Sequence, residues 1–97
     1  MPYINVSTSA KIEDKKKLLE EISILVSSLT NKSKRFVMAK LDDNLEMYFD
    51  DESPCCFLEI KSIGSINPSE MAKPISKFVY EKIGIPVSYT HLRAHET

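Results

Sequence analysis

Met1-Pro2-Tyr3-Ile4-Asn5-Val6 is the stretch on which the reading of this chain turns. Inside a chain, a proline nitrogen is an amide with no basicity and no N–H to donate. If Met1 is removed, the same nitrogen becomes a free secondary amine that can take up and release a proton. A small second residue permits that removal. The alternation through Tyr3, Ile4, Asn5 and Val6 reads as a strand, which would seat the amine on a rigid element. Position alone favours Pro2 as an unstructured second residue, so the rest of the chain has to decide.

At 97 residues the chain is one domain, since domains cluster at about 100–150 residues. Thirteen basic residues are balanced by fourteen acidic ones, so no charge excess points to nucleic acid. The apolar runs fall well short of the ~20 residues of a membrane span, and the start lacks the basic and apolar regions of a signal peptide. A cytoplasmic protein is the expectation. Cys55 and Cys56 are adjacent, a placement that disfavours a structural disulfide between them and fits reduced thiols.

From Val6 outward, Ser7-Thr8-Ser9 is turn-like. Leu18, Leu19, Ile22, Leu25, Val26 and Leu29 then recur at helical spacing and form one apolar stripe. Lys15-Lys16-Lys17, a turn from Glu20 and Glu21, reads as a solvated, salt-paired face. Asn31 suits the left-handed position that ends a helix. Arg35–Leu41 reads as a second strand, Asp42-Asp43-Asn44 as a turn and Leu45–Phe49 as a short strand. The acidic loop 50–54 lacks the alternating ligand spacing of a calcium loop. The alternation from Cys56 predicts a strand running to Ile63, broken at Gly64. A second helix follows, capped either by Asn67 with Pro68 in first position or by Ser69. Met71, Ile75, Phe78, Val79 and Ile83 form its stripe, and Pro74 falls where it could kink it. Gly84 is a natural stop, and Ile85-Pro86-Val87 leads toward another strand. The class is α/β: two β-α-β units forming one sheet, with both helices on one face. The uncovered face must then meet water or another subunit.

Four stretches now fall into one pattern: Met1-Pro2 leading a strand, Thr30-Asn31-Lys32 closing a helix, Ser53-Pro54-Cys55, and Lys61-Ser62-Ile63-Gly64. In these the chain resembles the macrophage migration inhibitory factor and dopachrome tautomerase family of the tautomerase superfamily, over residues 1–86. The resemblance implies a homotrimer in which three sheets make a barrel, with active sites between neighbours. It implies a cofactor-independent keto–enol tautomerase of phenylpyruvate-like enolisable acids. Pro2 would be the general base and acid, Lys32 the substrate-binding cation, Ile63 of the Ser62-Ile63-Gly64 turn a backbone donor, and Phe36 a pocket-lining aromatic. No cofactor or metal is implied. The family also has cytokine-like members exported without a leader, which implies an alternative: a signalling or receptor-binding protein with little catalysis.

Elementary chemistry is consistent with those roles. An α-amine titrates near pH 8, and a prolyl amine somewhat higher. Apolar walls and a nearby cation disfavour the ammonium form and lower that value, so a base is available near neutral pH. Lys32 would hold a carboxylate or enolate oxygen, and the Ile63 amide would add a directed hydrogen bond.

The chain departs from the family pattern in three places. Leu58 stands where a second redox cysteine would be, so thiol–disulfide exchange is not expected. Lys61 replaces a histidine and adds a charge near the pocket or the sheet lining. Residues 87–97 match no family segment and read as a divergent, non-native and loosely ordered tail. Tyr89 is near the place of a pocket tyrosine, but the role is not carried over to it. His91 and His95, four apart, would chelate a metal only if helical.

Overall fold

The computed structural model describes residues 2–62 and 67–96. Its centre is β1 (Tyr3–Thr8), flanked by β2 (Met38–Asp42) on one side and β3 (Cys56–Ser62) on the other, with β4 (Thr90–Glu96) outside β3. Helix α1 (Lys15–Thr30) connects β1 to β2, and α2 (Pro68–Lys82) connects β3 to β4. Each β-α-β unit is parallel, as its crossover helix requires. The two units join along an antiparallel seam between β1 and β3, in which Tyr3 faces Lys61 and Thr8 faces Cys56. The result is one four-stranded mixed sheet.

Period-two alternation sorts the strands. Ile4, Val6 and Thr8 of β1, with Cys56, Leu58 and Ile60 of β3, point to the helix-covered face and are buried. Ile22 and Val26 of α1 and Met71, Ile75 and Val79 of α2 close over them, joined by Ile85. Both predicted stripes are therefore the packed faces. Leu25, Leu29, Phe78 and Ile83 are half-buried at the margin.

Helix ends follow from local chemistry. Asp14 caps α1, its carboxylate accepting from the Lys17 amide at 3.0 Å. Asn31 ends it in the left-handed conformation (φ 55°). For α2 the cap is Asn67 and not Ser69. Its Oδ1 accepts from the Ser69 amide at 3.2 Å, and Pro68 takes the first helical position, where no N–H is needed. The helix continues through Pro74, and Gly84 (φ 85°) follows its end.

Three local expectations need correction. Residues 34–36 do not begin β2. They form a 3-10 turn closed by Phe36 N–H to Ser33 O (2.9 Å) and Val37 N–H to Lys34 O (3.1 Å). The reason is register: β1 starts at Tyr3, whose partner is Met38, so earlier residues have no strand to pair with. Leu45–Phe49 is not a strand either, and only an isolated bridge joins Phe49 to Asp51. The Asn44 and Leu45 amides bond back to Ala10 and Thr8, and Asn44 and Asp50 take positive φ. Finally, the end of the chain is not loose: Thr90–Glu96 is β4, paired in parallel with β3 from Cys56 to Ser62. The predicted extension of β3 to Ile63 and its break at Gly64 lie outside the described residues.

Candidate functional site

Pro2 is fully buried. It continues the inward-facing series Ile4, Val6, Thr8, so its ring sits on the helix-covered side at the start of β1. Its carbonyl accepts a hydrogen bond from the Met38 amide at 2.9 Å. That bond ties residue 2 to the end of the 3-10 turn, two residues past Phe36. On the other flank, the antiparallel register that pairs Tyr3 with Lys61 brings Pro2 alongside Ser62, which is 3% exposed. Three segments far apart in sequence thus meet at one end of the sheet: residue 2, the turn carrying Phe36, and the end of β3.

Lys32 stands at the start of the connection that delivers Phe36. Its main chain is anchored: the Lys32 amide donates to Ser27 O at 3.2 Å, and the Ser27 hydroxyl donates to Lys32 O. Its side chain is exposed. Phe36 is 52% exposed, with the Arg35 guanidinium 5.2 Å from its ring centre, an interaction of cation with aromatic face. Sequence reasoning missed Arg35, although the run Lys34-Arg35-Phe36 was a usable signal. Ile63, the expected backbone donor, lies outside the described residues, as does Met1.

Lys61 is exposed on the uncovered face of the sheet, on the side opposite buried Ser62. Its charge therefore belongs to the sheet lining. The cysteines are buried free thiols. Burial, with Cys55 adding a smaller effect, pushes the Cys56 thiol up to about 12, so almost no thiolate exists near neutral pH. His91 and His95 lie in a strand, which removes the helical chelate. His91 stacks on Phe57 and His95 pairs with Glu59 at 3.0 Å, and that hydrogen bond holds the Glu59 carboxyl below its usual value. Tyr89 is at the far end of the sheet from Pro2. Its hydroxyl donates to Asp51 at 2.8 Å. The Ser53 amide bonds the same carboxylate, and together these keep its pKa low. The acidic loop is thus a braced turn.

Three surface hollows, of about 460, 340 and 580 Å³, are lined by other residues, and Pro2, Lys32 and Phe36 border none of them. The first is a charged cleft between the start of α1 and the end of α2, bridged by Lys82 and Glu21 at 2.8 Å. Pro2, the turn carrying Phe36 and the end of β3 therefore meet at a sheet end that none of these hollows borders.

Residues 1–94 match the family model described as macrophage migration inhibitory factor (MIF). Among solved structures, the MIF homologue from Prochlorococcus marinus is 28% identical. It has a TM-score of 0.89 and covers 96% of this chain and 86% of its own. Leishmania major MIF2 is 21% identical with a TM-score of 0.84, over 100% of this chain and 89% of its own. The factor from Trichinella spiralis is 20% identical with a TM-score of 0.89, over 98% and 88%. The last two speak to the fold alone. No curated protein sequence gives a significant match.

Proposed function

The chain belongs to the macrophage migration inhibitory factor family, and from that premise we propose that it is a cofactor-independent keto–enol tautomerase of phenylpyruvate-like acids. The observation that carries this reading is the complete burial of Pro2 at the sheet end reached by both the Phe36 turn and the end of β3. A nitrogen held in so dry a place is a poor site for a positive charge. Once freed by loss of Met1, it stays unprotonated at lower pH than an exposed amine would.

The reaction then needs few parts. The Pro2 nitrogen removes a proton from the carbon beside the substrate carbonyl. The C–H electron pair becomes the C=C bond, the carbonyl pair moves to oxygen, and the oxygen takes a proton from water while the prolinium gives one up to solvent. The reverse passage returns the proton from the prolinium to carbon. Lys32 binds the carboxylate and the Ile63 amide steadies the developing enolate oxygen. We place these sites between subunits of a homotrimer, a reading in keeping with Pro2 bordering none of the three hollows described.

Intact-mass measurement tests the premise, because retained Met1 leaves the Pro2 nitrogen an amide. Enol–keto conversion of phenylpyruvate by wild type and Pro2→Gly tests the mechanism, and equal rates would remove Pro2 from it. The alternative, a cytokine-like interaction protein of the same fold, takes its support from the name of the family and of the Prochlorococcus marinus homologue. It is favoured if the wild type, with Met1 removed, shows no turnover.

A further inference from the structure

We propose that Arg35 selects the substrate at the Pro2 end, so that the preferred acid is an enolisable dicarboxylate rather than a monocarboxylate. This inference deepens the tautomerase reading and rests on it for the word substrate, though not for the binding preference.

The argument begins with charge. Residues 30–38 (Thr-Asn-Lys-Ser-Lys-Arg-Phe-Val-Met) hold three cations and no acid. Lys34 is compensated by Glu20 at 3.8 Å. Among the described residues, neither Lys32 nor Arg35 has a carboxylate within 4.0 Å. Two uncompensated cations therefore belong to the one connection that reaches Pro2. A single substrate carboxylate answers one of them, whereas a dicarboxylate answers both.

The geometry singles out Arg35 for the second. The 3-10 turn holding it is closed by two internal hydrogen bonds, and the next amide, that of Met38, bonds the Pro2 carbonyl at 2.9 Å. The turn is thus fastened directly to the candidate base. The guanidinium is held 5.2 Å from the Phe36 ring centre, which restricts an otherwise mobile side chain before any ligand arrives. A guanidinium in such a position offers a planar fork that meets a carboxylate through two parallel N–H donors. It requires no change in the chemistry. The proton still leaves carbon for the Pro2 nitrogen, and the second carboxylate is only bound.

The test compares wild type, Arg35→Gln and Arg35→Lys on two keto acids, oxaloacetate with two carboxylates and phenylpyruvate with one. Arg35→Gln raises KM for oxaloacetate about tenfold, the ratio that one charged hydrogen-bonding contact commonly supplies. It leaves kcat, and both constants for phenylpyruvate, within about twofold. Arg35→Lys recovers part of the loss, because charge returns without the fork. Calorimetric titration of succinate and butyrate, which react with nothing here, reads the same preference without turnover. Succinate binds the wild type more tightly than butyrate, and Arg35→Gln removes the difference. Equal shifts for one and two carboxylates, or no shift, overturn the proposal. A succinate preference that depends on Arg35 in a protein without turnover sustains it and overturns the tautomerase reading instead. Turnover with no such preference does the reverse.

Discussion

Replacing Pro2 with glycine tests two roles at once, and magnitudes tell them apart. The ring is fully buried, and glycine removes its three carbons. At about 0.8 kcal/mol per methylene that costs ~2.5 kcal/mol. The freer unfolded chain adds up to about 1 kcal/mol, so destabilisation is near 3 kcal/mol. A domain of this length has a stability of about 5–15 kcal/mol. Even at the lower limit about 2 kcal/mol remains, or roughly 30 folded molecules for each unfolded one. Unfolding therefore removes only a few per cent of activity, whereas losing a positioned general base removes about 10²–10⁴-fold. The two effects separate by orders of magnitude. A companion variant with an alanine inserted between Met1 and Pro2 keeps the ring but turns its nitrogen into an amide. It should lose turnover as fully while unfolding at nearly the wild-type urea midpoint. The assay is ultraviolet detection of phenylpyruvate ketonisation, run beside urea unfolding of each protein. Turnover within threefold of wild type in both variants would refute the base assignment, whatever the stabilities.

Other outcomes follow from single residues. Thr8 is fully buried, and its hydroxyl donates to Cys55 O at 2.9 Å while accepting from the Ala10 amide at 3.1 Å. Thr8→Val should cost about 2 kcal/mol and Thr8→Ser about 1 kcal/mol, and a valine variant as stable as the serine one in urea would contradict this. The Cys56 thiol stays protonated to about 12 in the fold, against an ordinary value of 9.0. The unfolded chain therefore loses that proton first, and stability present below pH 9 declines from pH 9 toward 12. Urea midpoints of wild type and Cys56→Ala across that range check it: the wild type should fall more steeply, and parallel curves would refute the assignment. Light scattering should give three times the chain mass for the wild type. It should give a smaller species for Phe49→Glu, which charges an exposed apolar segment, and an unchanged trimer would clear that segment of an assembly role.

The parts of the fold legible in the sequence are those set by residues near one another. Leu18, Ile22 and Val26 declare a helix face because their spacing is the period of a helix, and Asn31 marks its end because it accepts positive φ. What the sequence withheld depends on partners. Phe36 has strand propensity, yet the strand opposite begins too late to pair with it or with Arg35, so they turn. Leu45–Phe49 alternates like a strand but has no ladder to join. The tail shows no family segment by eye, yet the family match runs to residue 94 and Thr90–Glu96 takes its register along the edge of β3. The candidate site divides in the same way. Pro2 was conspicuous by position, and Lys32 and Phe36 by resemblance. That residue 2 would bond Met38 and lie beside Ser62 is a fact of long-range pairing. Arg35 was passed over because it read as the first residue of a strand, whereas it lies in the 3-10 turn with its guanidinium over Phe36.

The uncovered sheet face constrains how copies of the chain could come together. Alternation places Lys40, Asn5, Glu59, Lys61 and Arg93 on it, against the buried series on the other side. Lys40 and Asp42 pair there at 3.5 Å, and His95 with Glu59 at 3.0 Å. Pressing three such faces into a dry core would strip water from Lys40, Lys61 and Arg93 of every copy while bringing like charges together, a cost of several kcal/mol for each poorly paired ion. The face suits a wet lining. Large apolar exposure gathers at the β2 edge: Met38, on this same face, and Tyr48 and Phe49 in the segment after that strand, at 56, 73 and 52%. In the trimer we propose, contacts should therefore run from edge to edge around a watered centre. The same argument explains why Pro2, facing the helices and not the lining, keeps the dry surroundings its chemistry needs.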